Sequence, residues 1–204
     1  MKAKLLYYSL FLAVFCGSCI KPVPPVLRPG PTQYMTQEFK DYTDFKKGSY
    51  WIYESNGNSV KRDSIVIISD TQFVENHVLP APYERFTAIL ESSIDGRFTA
   101  TGDGMSNDYH IEYPQWPNDE TTYFTPINGV QLDDWGNMTL TDSSENLIVA
   151  GNKYQSVKEF TVNPNGGYKV ISPITHIYWA KNVGVVQKTV SGITWQLIRY
   201  KVVQ

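Results

Sequence analysis

The side chains best suited to metal or acid–base chemistry are scattered along this chain. None of the histidines has a second ligand at the spacing of a metal site. The densest acidic pairs lie in polar segments where charges are solvated, so a glycosidase-like carboxylate pair is not indicated. These residues are His77, His110, His176, Asp119 with Glu120, and Asp133 with Asp134. The sequence also lacks a nucleophile elbow, a phosphate loop and a dinucleotide fingerprint, so we expect no metal, no cofactor and no enzymatic activity.

Aromatic side chains are concentrated in the segment from Asp108 to Asn128. Prolines at 114 and 117 exclude a regular ladder around Trp116, so we predict a loop or an edge crossing here. Aromatic faces on a proline-stiffened loop can stack on sugar rings or take up an apolar ligand. Alternatively, they cap the open end of a sheet, which is the interpretation we favour. The candidates for ligand contact are Tyr109, Tyr113, Trp116 and Tyr123.

The N-terminal segment has the order of a secretory signal peptide. Two lysines precede an apolar run from Leu5 to Phe15, and the small residues Gly17 and Ser18 then lead into Cys19. A run of this length is too short to cross a membrane as a helix, which needs about 20 apolar residues. We therefore assign residues 1–18 to a cleaved signal peptide.

The residues around Cys19 resemble the lipobox of bacterial lipoproteins. Gly17 and Ser18 supply the small residues that the lipoprotein peptidase requires, although Cys16 stands where Leu or Val is usual. The resemblance implies that Cys19 is acylated, with chains such as palmitate, and that these chains bind the membrane. The alternative is an ordinary secretory signal that leaves Cys19 as a free thiol, but an exposed lone cysteine is prone to oxidation. No acidic cluster follows Cys19. In this respect the chain resembles lipoproteins that are sorted to the outer membrane of the cell envelope, where we expect it to face the periplasm.

Charge and cysteine content narrow the class of partner. After cleavage, removal of Lys2 and Lys4 reduces the eighteen basic residues of the chain to sixteen, against twenty acidic residues. A basic surface for nucleic acid is therefore not expected. Cys19 is then the only cysteine, so an intramolecular disulfide cannot form and the fold must be stabilised by packing.

The mature chain divides into a tether and one domain. Five prolines lie between Pro22 and Pro31, and proline has a fixed φ and no amide proton, so we assign residues 19–35 to an extended linker or a disordered tail. We predict a short helical turn within residues 36–45 and one β domain over residues 36–204.

About ten short strands without a sustained helical period indicate an all-β domain. Asn56-Gly57 and Ser191-Gly192 are hairpin turn signals. We predict turns from Asp133 to Asn146, with strands resuming at Leu147. The last strand is apolar on both faces, or its apolar side switches at a bulge, which is typical of a strand in the interior of a sheet.

Three motifs, in order along the chain, resemble a family of uncharacterised bacterial lipoproteins. The segments 47–53, 148–157 and 178–197 are similar to a G-x-x-W-x-Y opening strand, a V-x-A-G-x-Y segment and a Y-x-A-x-x-V-G-x-V closing hairpin. The resemblance implies a single, strongly curved antiparallel sheet or half-open barrel; a closed barrel or a β-sandwich is the alternative. We interpret the motifs as structural, with Gly151 and Gly184 at bulges or positive-φ turns and the tryptophans on the core.

Three functions are consistent with these patterns. The first is a lipid-anchored envelope protein that binds a protein, glycan or apolar ligand, or has a structural role, without catalysis. The second is a carrier or chaperone for a lipid or another apolar ligand. A hydrolase whose residues are assembled only by the fold is the third. An apolar cavity of several hundred cubic ångströms would favour the carrier, since ligand pockets have about 300–1,000 Å³.

Overall fold

The computed structural model describes residues 30–57, 59–76, 81–112, 121–124, 138–162 and 174–204. The predicted signal peptide, Cys19 and most of the proline-rich linker lie outside these ranges. So do Tyr113 and Trp116, His77 and both acidic pairs noted above. In the part of the chain that is described, no helix is long and apolar enough to cross a membrane.

The described strands form one antiparallel sheet that curls into a half-barrel, which confirms the predicted fold class. Its order is β6-β5-β4-β3-β2-β1-β11-β10-β9-β8-β7, so two meanders, β1–β6 and β7–β11, join where the first strand pairs with the last. The strands are β1 Tyr50–Ser55, β2 Arg62–Glu75, β3 Tyr83–Ser92, β4 Gly96–Asp103, β5 Tyr109–Glu112, β6 Thr121–Phe124, β7 Met138–Val149, β8 Asn152–Val162, β9 Ile174–Ala180, β10 Gly184–Val190 and β11 Ile193–Lys201.

Local sequence explains the tight turns of the second meander. Ser191 and Gly192 have φ values of 50° and 78°, which is the pair of positive angles that a two-residue hairpin turn requires. Gly151 and Gly184 have φ values of 80° and 94°, as the sequence predicted. Gly184 is also constrained by packing, because a Cβ atom there would lie 3.3 Å from the Phe45 ring.

β11 lies between β1 and β10 and therefore in the interior of the sheet, as predicted. Ile52 pairs with Arg199 and Tyr53 pairs with Leu197, so Ile198 is an extra residue at a bulge. The bulge explains why the apolar side of this strand switches along its length.

In the described part of the chain, a short helix, α1 (Gln37–Thr43), packs against both meanders. Its N-cap is Thr36, whose Oγ1 accepts a hydrogen bond from Phe39 N, and the Phe39 ring is fully buried. Lys40 of the helix forms an ion pair of 2.8 Å with Glu84 on β3 of the first meander. Tyr42 of the helix makes two hydrogen bonds to the second meander. Its hydroxyl donates to Ser156 O, and its backbone carbonyl accepts from Trp179 Nε1. The helix thus holds the two halves of the sheet together.

Residues 33–35, at the end of the predicted linker, pack against the sheet. Gln33 bridges Tyr83, and Met35 is buried with its amide donating to Glu84 Oε2. This segment packs on Gly104, where an added Cβ atom would lie 2.6 Å from Gln33 O. The last residues assigned to the linker are therefore part of the packed domain.

The predicted turn region from Asp133 to Asn146 is wrong for the described residues, because β7 already begins at Met138. This strand lies at one edge of the described sheet, and most of its side chains between Thr141 and Ile148 are exposed. An edge strand with both faces exposed to solvent carries Thr, Ser, Asp and Asn, which are also residue types that indicate turns. Composition alone could not separate the two.

The segment from Asp108 to Asn128, predicted to be a loop or an edge crossing, also contains strands. β5 and β6 both lie inside it and pair with each other, His110 opposite Tyr123. The prolines that argued against a ladder lie between these strands, outside the described residues.

Candidate functional site

Side chains from both meanders converge on one apolar cavity of about 120 Å³, open on one side. Strands β1–β5 contribute from the first meander, and β9 and β10 contribute from the second. The aromatic part of the wall comprises Phe45, Trp51, Tyr53, Phe98, Tyr109 and Trp179. The aliphatic part comprises Ile65, Leu90, Ile111, Ile177 and Val185. The cavity therefore lies inside the curve of the sheet.

The aromatic wall is held in place by hydrogen bonds that also satisfy its polar atoms. Trp51 Nε1 donates to Val183 O at 2.5 Å, and the Tyr53 hydroxyl donates to Val185 O at 2.8 Å. Trp179 Nε1 donates to the α1 carbonyl of Tyr42 at 2.7 Å. Because these donors are engaged within the protein, the rings present apolar surface to the cavity.

Tyr109 lies on a strand, in a segment predicted to be a loop or an edge crossing, and its side chain is packed rather than exposed. It is 8% exposed on β5, and its ring meets Trp179 edge to face at 5.5 Å between centroids. Burial raises the pKa of the Tyr109 phenol, so the group stays neutral over the physiological range. Tyr109 belongs to the cavity wall, where ligand contact remains a prediction.

The other aromatic candidates are not brought together by the described residues. Tyr123 is on β6, paired through its backbone with His110, whereas Tyr113 and Trp116 lie outside the described ranges. The structure thus places one of the four candidates in a site.

Among the described residues that line the cavity, Lys188 is the one with a charged side chain, and it was not among the candidates predicted from the sequence. In a regular strand, Val185 and Lys188 point to opposite faces because they are three residues apart. In β10, however, Val185 pairs with Trp179 and Gln187 pairs with Tyr178, so Val186 is an extra residue. This bulge lets both Val185 and Lys188 line the cavity. A lysine within a β-branched strand was the available signal, but simple alternation would place it on the face opposite Val185.

The surroundings of Lys188 disfavour its charged form. Burial lowers the pKa of Lys188, while the carboxylates of Asp63 and Asp95 act in the opposite direction. The Nζ atom lies 5.4 Å from the centroid of the Tyr53 ring, a cation–π distance. Burial also raises the pKa of Asp95. The cavity thus carries one amine with two carboxylates nearby.

The residues considered for metal chemistry do not assemble in the described ranges. His110 is on β5 and His176 is on β9, and no group of three or more His, Cys, Asp or Glu side chains there could hold a metal ion. Burial lowers the pKa of His110, against the opposing effect of Asp103 and Asp108.

Comparisons with protein-family models, curated proteins and solved structures found no match to this chain.

Proposed function

We propose that this chain is a lipid-anchored binding module of the bacterial cell envelope, with a half-barrel that receives a small apolar group of a ligand or partner. Its anchor is Cys19 and its expected location is the outer membrane, facing the periplasm. The observation that carries the binding function is the half-open cavity with its aromatic wall. Preformed apolar pockets with few polar groups are the usual form of a small-molecule site.

The size of the cavity favours a binding module over a carrier for a whole lipid. Drug-sized ligands occupy about 300–1,000 Å³, and the cavity here has about 120 Å³. An engineered apolar cavity of about 150 Å³ binds benzene. A single ring or a short aliphatic group is therefore the kind of occupant that fits.

Titration with benzene tests the binding function. Binding is detected by methyl NMR of the full chain in phospholipid nanodiscs. The methyl groups of Ile111 and Ile177 line the cavity, so their resonances should shift with saturation. Ile94 is 51% exposed and outside the wall, so its resonance provides the control in the same spectrum.

A cavity-filling variant makes this experiment specific. Val185→Phe should abolish the shifts of Ile111 and Ile177, whereas Val60→Phe, at a position 66% exposed, should leave them unchanged. Shifts that are equal in wild type and Val185→Phe, or no shifts in wild type, would contradict the binding function.

The anchor has its own test, a mass measurement on the mature protein. We expect an N-terminal Cys19 that carries acyl chains, because two or more chains are needed for stable anchoring. An unmodified thiol at Cys19 would refute the lipid anchor and leave the cavity result unaffected.

A further inference from the structure

We propose that the cavity binds a small monocarboxylate that carries one aromatic ring or a short aliphatic chain, with its carboxylate on the ammonium group of Lys188. This inference rests on the proposed binding function and names the ligand class. The apolar part would lie against the rings of Trp51, Tyr109 and Trp179.

The position of Lys188 is the first step of the argument. It is the charged member of an otherwise apolar wall, placed there by the bulge at Val186. Its Nζ atom lies 5.4 Å from the centroid of the Tyr53 ring, which belongs to the aromatic wall. A ligand whose ring enters the cavity therefore meets a positive charge beside its apolar seat.

Within the described ranges, the carboxylates near Lys188 do not form an ion pair with its ammonium group, so an acceptor atom of a ligand can do so. The ion pairs among the described residues do not include Lys188. Asp63 Oδ1 already accepts hydrogen bonds from Ser92 Oγ at 2.7 Å and Ser93 Oγ at 3.2 Å. Asp63 and Asp95 interact with Lys188 only as charges at a distance, and neither lines the cavity. A carboxylate in the cavity would give Lys188 the charge-assisted hydrogen bond that it lacks within the described chain.

Charge and volume together select the ligand class. The cavity of about 120 Å³ is close to the 150 Å³ that holds benzene, so one ring is the upper limit. Asp63 and Asp95 repel every negative charge on a ligand, and Lys188 compensates only one such charge, which disfavours phosphate esters and dicarboxylates. A monocarboxylate meets both conditions.

Isothermal titration with phenylacetate and phenylacetamide tests the role of Lys188. The two probes have the same ring and similar size and differ in charge. We use the full chain in phospholipid nanodiscs, with empty nanodiscs as the blank. Wild type should bind phenylacetate about tenfold more tightly than phenylacetamide, because an ionised carboxylate forms a stronger hydrogen bond with the Lys188 ammonium group than a neutral amide does.

Lys188→Met removes the charge and keeps a similar apolar stem. It should abolish the preference for phenylacetate and leave the affinity for phenylacetamide unchanged. Lys153→Met, at an exposed position on β8, should behave like wild type. Ile111→Phe is a second variant, which should remove binding of both probes because it fills the cavity.

The outcomes separate this inference from the function on which it rests. Equal affinity for the two probes in wild type, or a preference that survives in Lys188→Met, overturns the ligand class. If neither probe binds but benzene still shifts the cavity methyl groups, the ligand class is wrong and the binding function stands. If benzene also leaves the cavity methyl resonances unchanged, both the ligand class and the binding function are wrong.

Discussion

Lys188 owes its place in the cavity to one extra residue in its strand. Without the bulge at Val186, regular alternation would put Lys188 and Val185 on opposite faces. The result is an ammonium group in surroundings that disfavour its charge. Such a side chain is unfavourable for stability, and functional sites commonly carry this cost.

We predict that Lys188→Met raises the free energy of unfolding at pH 7. Burial lowers the pKa of Lys188 despite Asp63 and Asp95, so the charged form is less favourable in the folded protein than in the unfolded chain. The difference from wild type should narrow as the pH rises through the folded-state pKa towards the ordinary value of 10.5, because wild-type Lys188 then loses its proton. Urea denaturation at several pH values measures both effects. A less stable Lys188→Met protein at pH 7 would contradict the prediction.

At this scale the sequence predicted only part of the site. Trp51 and Trp179 were expected on the core, and they are 5% and 4% exposed. Tyr109 was selected, but in the wrong environment, because prolines at 114 and 117 suggested a loop over the whole segment. Lys188 was not found, because a bulge changes the face of a side chain without leaving a local signature in composition.

Helix α1 determines how the two meanders are held around the cavity. Glu84 on β3 accepts hydrogen bonds from Lys40 at 2.8 Å, from the Met35 amide at 3.0 Å and from Gln72. Lys181 and Lys158 from the second meander pair with Asp41 and Glu38 of the helix. The helix is therefore tied to both halves by charge as well as by the buried ring of Phe39.

We predict that Glu84→Gln lowers the free energy of unfolding by about 1–3 kcal/mol at pH 7, since it weakens buried hydrogen bonds to a charge. Burial alone would raise the pKa of Glu84, but the hydrogen bonds from Lys40 and Met35 outweigh it and lower the pKa. The stabilisation is therefore present above the ordinary value of 4.5 and lost as the pH falls through the folded-state pKa.

Denaturation at pH 7 and at pH 3 measures this dependence. The matched control is Glu54→Gln, whose partner Arg62 has a side chain 70% exposed, so the change should cost about 0–1 kcal/mol. Equal losses for the two variants, or a Glu84→Gln effect that does not shrink at low pH, would argue against the role given to Glu84.

Among the elements, strands with one buried face were predictable and polar edges were not. β3 alternates between buried and less buried positions along most of its length, and this period is visible in the sequence. The helix was also anticipated, at Gln37–Thr43 within the predicted residues 36–45. β7 was shortened in the prediction because its exposed Ser, Thr and Asp residues carry no hydrophobic period.

The described residues form a half-barrel in which the first and last strands, β1 and β11, pair at the centre of the sheet, and β6 and β7 lie at its two edges. The second meander therefore depends on the C-terminal strand for its attachment to the first. The curved sheet was implied by the resemblance to envelope lipoproteins, whereas the cavity could not be anticipated, because it depends on how far the two meanders approach each other.

We predict that deletion of residues 195–204 unfolds the domain. The deletion removes most of β11 and with it Leu197, which is fully buried, and the pairing of β1 with β11. Deletion of Gln204 alone is the control and should leave the melting midpoint within a few degrees of wild type. Circular dichroism compares the three proteins. A native spectrum and an unchanged midpoint in the longer deletion would contradict the central position of β11.

The most direct test of the binding site is a crystal structure of the protein under xenon pressure. An engineered apolar cavity of about 150 Å³ binds xenon. We expect a xenon atom inside the half-barrel, in contact with Trp51, Tyr109 and Trp179, and no such atom in Val185→Phe. Side chains that fill this space in the wild-type crystal, with no xenon among them, would contradict the account.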